Sequence, residues 1–400
     1  MDIGEKKAIT VKIYVFYALF GIAKNIIGPI LPHLIDDYTV SLATAGLVIS
    51  LLSFGRLLSV SWATVWLDEK GPKKVLLWGA FCVAAGLIGF TLSIWWYLHL
   101  FFMAVIGIGF GLFGSSSNAL IAGLYIKKQG KALNRLHMFY GVGALIGPLL
   151  AGIFLFMDFS WRSIFILVSI LAVSLFLMII FQKIPEINNN GEYVNDTNKN
   201  GTKDNKGKYF TRLKKLFKSP VFFLLALISF IYIGVGNGIT GWMNTYLGDT
   251  FAFTDIFASG ILAIYTLGIT LGRIVCSYVS DDLGYKNTIF YCSIGSFLAV
   301  CIAVLSNSTV FILTGFGLTG FFLAGLFPTA LAYGSRVFDD MLGTISSALI
   351  STAVIGGMLI PWWMGIISEY YGLRSGMYLT IIFSIILIFT AGLLYKFDKQ

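Results

Sequence analysis

Long apolar runs, each closed by a few polar residues, follow one another along the 400-residue chain. A helix crossing hydrocarbon needs roughly 20 apolar residues. The pattern predicts about twelve crossings, near residues 12–34, 43–66, 74–97, 99–124, 136–157 and 161–182, then 221–247, 256–280, 287–306, 310–335, 342–367 and 374–395. The runs are apolar on every face instead of alternating, which selects helices over the strands of a barrel. The first run follows a basic start and ends without a small-residue cleavage site, so it reads as a retained anchor. The expected fold is an all-α integral membrane protein with twelve transmembrane helices in two pseudo-symmetric six-helix bundles. Residues 1–182 form the first bundle, 183–219 a polar linker and 220–400 the second bundle.

The halves echo each other at one offset. Asp68, Gly71 and Lys73 recur as Asp281, Gly284 and Lys286, each shifted by 213 residues. At the same shift Gly55 finds Gly268, Gly143 finds Gly356, Pro148 finds Pro361 and Gly152 finds Gly365. Special residues aligned on one offset imply a duplicated unit.

Composition supports a bilayer as the solvent: 57% hydrophobic, 12% charged and a mean hydropathy of +0.85. The net charge of +9 does not call for nucleic acid, because the bases sort to one side of the predicted crossings. Lys6, Lys7, Lys12, Lys70, Lys73, Lys74, Lys127, Lys128, Lys131, Arg135, the linker bases, Lys286, Arg336, Lys396 and Lys399 share a side; Arg162 and Arg374 lie opposite. The asymmetry predicts cytoplasmic termini and a multi-pass protein of the cell membrane. The linker carries Asn188, Asn189, Asn190, Asn195, Asn198 and Asn200 and buries no core. Its basic amphipathic end, Tyr209 to Lys218, is expected to lie on the anionic leaflet. Cys82, Cys276, Cys292 and Cys301 fall inside apolar runs without metal spacing and read as packing residues, so neither disulfide nor metal is expected. His33, His99 and His137 stand near span ends and read as hydrated structural groups.

Candidate chemistry rests on polar residues inside the runs. Lys24, beside Asn25, lies near the middle of the first run, where a charge costs about 3 kcal/mol and favours a wet cavity over snorkelling. Tyr17, Gly21, Lys24 and Gly28 share a helical face by spacing. Arg56 in the second run is also deep. Arg273 in the eighth is nearer the charged end, and it serves either as a second binding cation or as a gate. Asn118 is either a substrate contact or an interhelical hydrogen bond. Around Tyr232 to Leu247 the glycines predict a broken or closely packed helix, with Asn237 and Asn244 on one face. Trp242 and Tyr246 are either part of that surface or the outer aromatic belt. Pro328 allows a kink, Gly143, Gly147, Pro148, Gly356, Gly357 and Pro361 mark sites of close packing or bending, and Trp362 and Trp363 either stack on substrate or pack.

The Asp-x-x-Gly-x-Lys loop at Asp68 and again at Asp281 resembles the signature loop of the major facilitator superfamily, and the Gly143-to-Pro148 pattern is similar to a second signature there. Thr64 and Ser277 depart from the glycine usual in the loop motif, and Glu69 and Asp282 from its usual base. The resemblance implies two bundles rocking about a central site, with Asp68, Gly71, Lys73, Asp281, Gly284 and Lys286 gating the cytoplasmic side. Gly21 to Asn25 with Leu31-Pro32, the Tyr232-to-Tyr246 stretch, Phe327-Pro328-Thr329 and Pro361 resemble the fucose/proton symporter group. Gly28 and Gly236 stand where that group and its relatives carry acids. The arginines of spans two and eight are similar in placement to those of nitrate, oxalate and monocarboxylate carriers.

Every Asp and Glu falls in a loop, a terminus or a span edge, so a relay through a buried carboxylate is disfavoured. Buried cations require partners, and the expected partner of Lys24 and Arg56 is the solute. The sequence therefore predicts a secondary active transporter moving a small organic anion by alternating access, with Lys24, Asn25, Arg56, Asn118, Asn237, Asn244 and Arg273 as the substrate-binding set. Rival readings are a neutral-sugar carrier, a drug/proton antiporter, and a non-transporting receptor or membrane enzyme. No Ser-His, Cys-His or paired-acid set stands at membrane depth, so an enzyme is not expected, and no cofactor is called for. The expected partners are a small-molecule substrate and the lipid bilayer, with a monomeric chain.

Overall fold

The computed structural model describes residues 3–125, 129–182, 214–338 and 341–397. All regular structure among them is helical: α1 (Ile3–Asn25), α2 (Ile27–Tyr38), α3 (Leu42–Leu92), α4 (Trp96–Leu124), α5 (Gln129–Phe156), α6 (Trp161–Ile180), α7 (Pro220–Phe251), α8 (Asp255–Leu283), α9 (Tyr285–Leu305), α10 (Thr309–Leu323), α11 (Leu326–Val337), α12 (Leu342–Tyr371) and α13 (Leu373–Leu393). Twelve segments are long and apolar enough to cross a membrane. The linker expected at 183–219 falls outside the described residues up to residue 213, as do Lys127 and Lys128. Large apolar side chains such as Trp62, Phe101, Ile170 and Phe389 stay exposed, as lipid-facing surfaces must.

The chain forms two compact units, residues 1–198 with 254–260, and residues 199–253 with 261–400. In the first, α3 packs on α4 and α1 on α5; in the second, α12 packs on α7 and α9 on α10. In lipid no hydrophobic force separates helix from solvent, so contact relies on small residues that bring backbones together. A Cβ on Gly55 would strike the Ala104 carbonyl, and one on Gly268 would strike the Gly317 carbonyl. Gly107 lies against the Leu52 carbonyl and the Arg56 amide, and Gly320 against the Tyr265 carbonyl and the Ile269 amide. Each of these partners is again displaced by 213 residues. Gly143 and Gly356 also bring backbones together, in α5 and α12, pressed on Ala18 and Phe230, the two partners here being one residue out of register with the repeat.

Proline and glycine account for the interruptions. In the first crossing Pro29 has no N–H to offer the Asn25 carbonyl, so one hydrogen bond is lost between α1 and α2. Ile26 keeps helical φ/ψ and links the two, its N–H donating to the Ile22 carbonyl at 3.0 Å and its carbonyl accepting from Ile30 at 3.3 Å; Gly28 belongs to α2. Pro328 likewise has no N–H for the Ala324 carbonyl, where α10 passes into α11 through Ala324 and Gly325, both helical in φ/ψ. By contrast α7, where the glycines suggest a break, runs unbroken for 32 residues. Gly234 instead admits Ile360 and the Gly356 carbonyl, and Gly238 admits Met364. Pro148 and Pro361 both sit inside continuous helices.

Other expectations are corrected by burial. Trp242 and Tyr246 are not an aromatic belt: both are fully buried in the second unit. The Trp242 indole donates to the Pro361 carbonyl and the Tyr246 hydroxyl to the Val304 carbonyl. His99 is not hydrated but buried, held between the Trp95 carbonyl and the Tyr38 hydroxyl. His33 pairs with Asp255 at 3.2 Å. Trp363 stacks on Phe383. Cys276 and Cys292 are free thiols with their Sγ atoms 3.9 Å apart.

Candidate functional site

In the first unit the polar centre grows from Tyr17 in α1. Its ring is packed against Phe20, Phe113 and His137. Burial of an aromatic ring leaves its hydroxyl in need of partners. That hydroxyl donates to the Gly114 carbonyl at 3.3 Å and accepts from the Asn118 amide at 3.2 Å. The Asn118 amide also reaches the Gly114 carbonyl at 2.9 Å. Asn118 therefore makes the interhelical hydrogen bond that was one of its two expected roles.

Arg56 enters from α3. The close approach of Gly107 and Gly111 to its backbone fixes its helix against α4, and its charge acts on Tyr17. The side chain is exposed and forms no ion pair among the described residues. Lys24 is half-buried in the last turn of α1, about two turns from Tyr17. Asn25 turns inward and donates to the Gly21 carbonyl of its own helix. The structure thus joins Asn118 to Tyr17 by a hydrogen bond and places Arg56 within electrostatic reach of the same ring, with Lys24 farther along α1.

The second unit has a counterpart built from other positions. Arg273 Nη2 donates to the Tyr232 hydroxyl at 3.3 Å, and Tyr232 stacks on Phe327 with ring centroids 5.9 Å apart. Tyr265, fully buried, interacts electrostatically with both Tyr232 and Arg273. A Cβ at Gly236 would stand 3.7 Å from its hydroxyl. Asn237 donates to the Gly357 carbonyl, and Asn244 is buried on the same helix. Sequence reasoning placed neither Tyr17 nor Tyr232 in the binding set and passed over Tyr265. A tyrosine in an apolar run is a packing residue until an arginine or amide is seen to reach its hydroxyl.

The loop residues have a conformational basis. Gly71 and Gly284 adopt φ of 75° and 84°, a region that L side chains avoid. Each therefore turns the chain sharply between two crossings. Asp281 accepts from Tyr285 at 3.1 Å within its own hairpin, Lys70 lies over the Trp66 ring, and the Asp68 side chain is outside the described residues. The two bases opposite the main charge cluster both have structural partners: Arg162 with Asp37 and Tyr38, Arg374 with the Val304 and Leu305 carbonyls at the end of α9. Among the described residues no group of His, Cys, Asp and Glu could hold a metal.

Comparison with known proteins agrees with this architecture. The profile of the Major Facilitator Superfamily matches residues 13–263 and 247–400. The glucose/mannose transporter GlcP of Bacillus subtilis is 24% identical over 357 residues, covering 88% of this chain and 86% of its own. Among solved structures, a bacterial homolog of the human lysosomal transporter Spinster, inward-facing and unoccupied, superimposes with a TM-score of 0.83 at 15% identity, over 99% of this chain and 98% of that one. FucP, the E. coli fucose:proton symporter, in its outward conformation gives 0.64 at 17% identity, over 97% and 99%. With twelve apolar crossings, a duplicated helical unit and a profile match spanning nearly its whole length, the chain belongs to the major facilitator superfamily, a family of multi-pass secondary transporters of small solutes and not of enzymes.

Proposed function

We propose that this transporter carries a small organic anion by alternating access. One observation carries the reading: Arg56 lies within electrostatic reach of Tyr17 and makes no ion pair among the described residues. A guanidinium at membrane depth is costly unless an anion meets it, and its planar fork suits a carboxylate. Lys24 adds charge, the Asn118 carbonyl and the Tyr17 hydroxyl orient polar groups of the solute, and Arg273 with Tyr232 contributes from the second half. The acids support it too, since Asp249, Asp255, Asp281, Asp282 and Glu369 all lie in the first or last turns of helices. On the charge asymmetry of the loops, the protein resides in the cell membrane with both termini cytoplasmic.

A neutral sugar is the second reading. It is favoured by the likeness to a glucose/mannose transporter and by the amides and phenols around the two arginines. A thermal-shift panel of carboxylates and hexoses on the purified protein separates the two. Stabilisation by a carboxylate that disappears in Arg56→Gln supports the anion. Stabilisation by hexoses alone replaces it with the sugar.

A further inference from the structure

A second polar site lies away from the arginine–tyrosine centres, at the basic end of the second unit. A cavity of about 1170 Å³ is lined there by Lys215, Lys218, Lys286 and Arg336, with Tyr285, Asn287, Tyr333 and Tyr395 completing its polar wall. No carboxylate is among its described lining residues; Asp339 and Asp340 lie outside the described residues. Four cations from three separate segments converge on it: Lys215 and Lys218 from the chain leading into α7, Lys286 from the start of α9 and Arg336 from the last turn of α11; the tail after α13 adds Tyr395 and Phe397.

The backbone adds to the same field. Helix α7 begins at this cavity with Ser219, Pro220 and Val221, and α9 begins there with Gly284, Tyr285 and Lys286. Neither N-cap supplies a side-chain hydrogen bond: Ser219 makes none, and Gly284 has no side chain to make one. The first N–H groups of a helix have no intrahelical acceptor and carry a partial positive charge, and such termini bind phosphate and sulfate groups. Lys286 is fixed over the Tyr333 ring, 5.4 Å from its centroid, and the Tyr395 hydroxyl donates to Asn287. The wall is thus held by aromatic contacts and hydrogen bonds.

We propose that this cavity is a phosphate-binding site, filled either by the headgroup of an anionic phospholipid or by a soluble phosphorylated compound, and distinct from the route of the transported solute. Anchoring a phosphate there ties the entry of α7 to the hairpin at Gly284 and to the end of α11. The inference does not depend on which solute is carried, because none of its residues belongs to the arginine–tyrosine centres.

The full chain in detergent is titrated with phosphatidylglycerol and phosphatidylcholine, followed by native mass spectrometry, and separately with inorganic phosphate, followed by thermal shift. Preferential retention of phosphatidylglycerol identifies a lipid headgroup, and saturable stabilisation by inorganic phosphate identifies a soluble source. In either case Lys286→Gln with Arg336→Gln weakens binding about tenfold or more. Lys218→Gln, an exposed change that leaves the fold intact, weakens it about threefold. Lys286→Arg retains it. Binding of neither probe to the wild type, or equal binding by Lys218→Gln and by a folded double variant, overturns the proposal.

Discussion

The two units share a chassis but not their polar centres. Backbone contacts through Gly55 and Gly107 in the first unit reappear through Gly268 and Gly320 in the second, partner for partner at 213 residues. The cations do not follow. At that shift Arg56 corresponds to Ile269, Arg273 to Val60, Tyr17 to Phe230 and Tyr265 to Leu52. Arg273 donates to the Tyr232 hydroxyl, whereas Arg56 acts on Tyr17 only through its charge, and the two pairs come from different positions. The two units keep what packing requires, while their arginines and tyrosines stand at unrelated positions.

One contact shows how packing constrains change. In the first unit Ser59 faces Gly111; at the equivalent places the second unit has Gly272 facing Ala324. There is room for one small side chain, and the units place it on opposite helices. Gly111→Ala should destabilise the protein by about 1–3 kcal/mol through overpacking on Ser59. Adding Ser59→Gly, which copies the second unit, should recover most of the loss in detergent melting. A double variant no better than the single one would break the equivalence.

Gly71→Ala and Gly284→Ala sharpen the comparison at smaller scale. Both glycines hold positive φ with extended ψ, and nothing crowds a Cβ at either, so the cost is backbone strain alone, about 1–3 kcal/mol. It should be equal in the two hairpins when melting is compared. Smaller still are Tyr17→Phe and Tyr232→Phe, each removing a hydroxyl from its hydrogen bonds. Melting should show about 1 kcal/mol or less for each, with Tyr17→Phe the larger because its hydroxyl serves both Asn118 and Gly114.

The crossings, the duplicated unit and the hairpin glycines were legible in sequence because each leaves a local mark: an apolar run, a fixed offset, a glycine between charges. Asn118 was legible as polar but ambiguous, since an amide in a helix can serve a neighbour or a ligand equally well. The hydrogen bond lost at the Asn25 carbonyl went unread although Pro29 announces it, because the polar pair Lys24 and Asn25 reads first as a face. Burial of Trp242 and Tyr246 was not legible, for a Trp near a span end is apolar and hydrogen-bonding whether it meets headgroups or a neighbouring carbonyl. Tyr265 gave no signal at all: its role lies in Tyr232 and Arg273, residues on other turns and another helix.

The direct test is uptake of a radiolabelled small carboxylate into proteoliposomes containing wild type, Arg56→Gln, Arg56→Lys or Arg273→Gln, each checked for folding by its melting profile. The account predicts at least about a tenfold loss for Arg56→Gln, the removal of a charge-assisted contact, with a partial loss for Arg56→Lys and for Arg273→Gln. Wild-type uptake by a folded Arg56→Gln would contradict it.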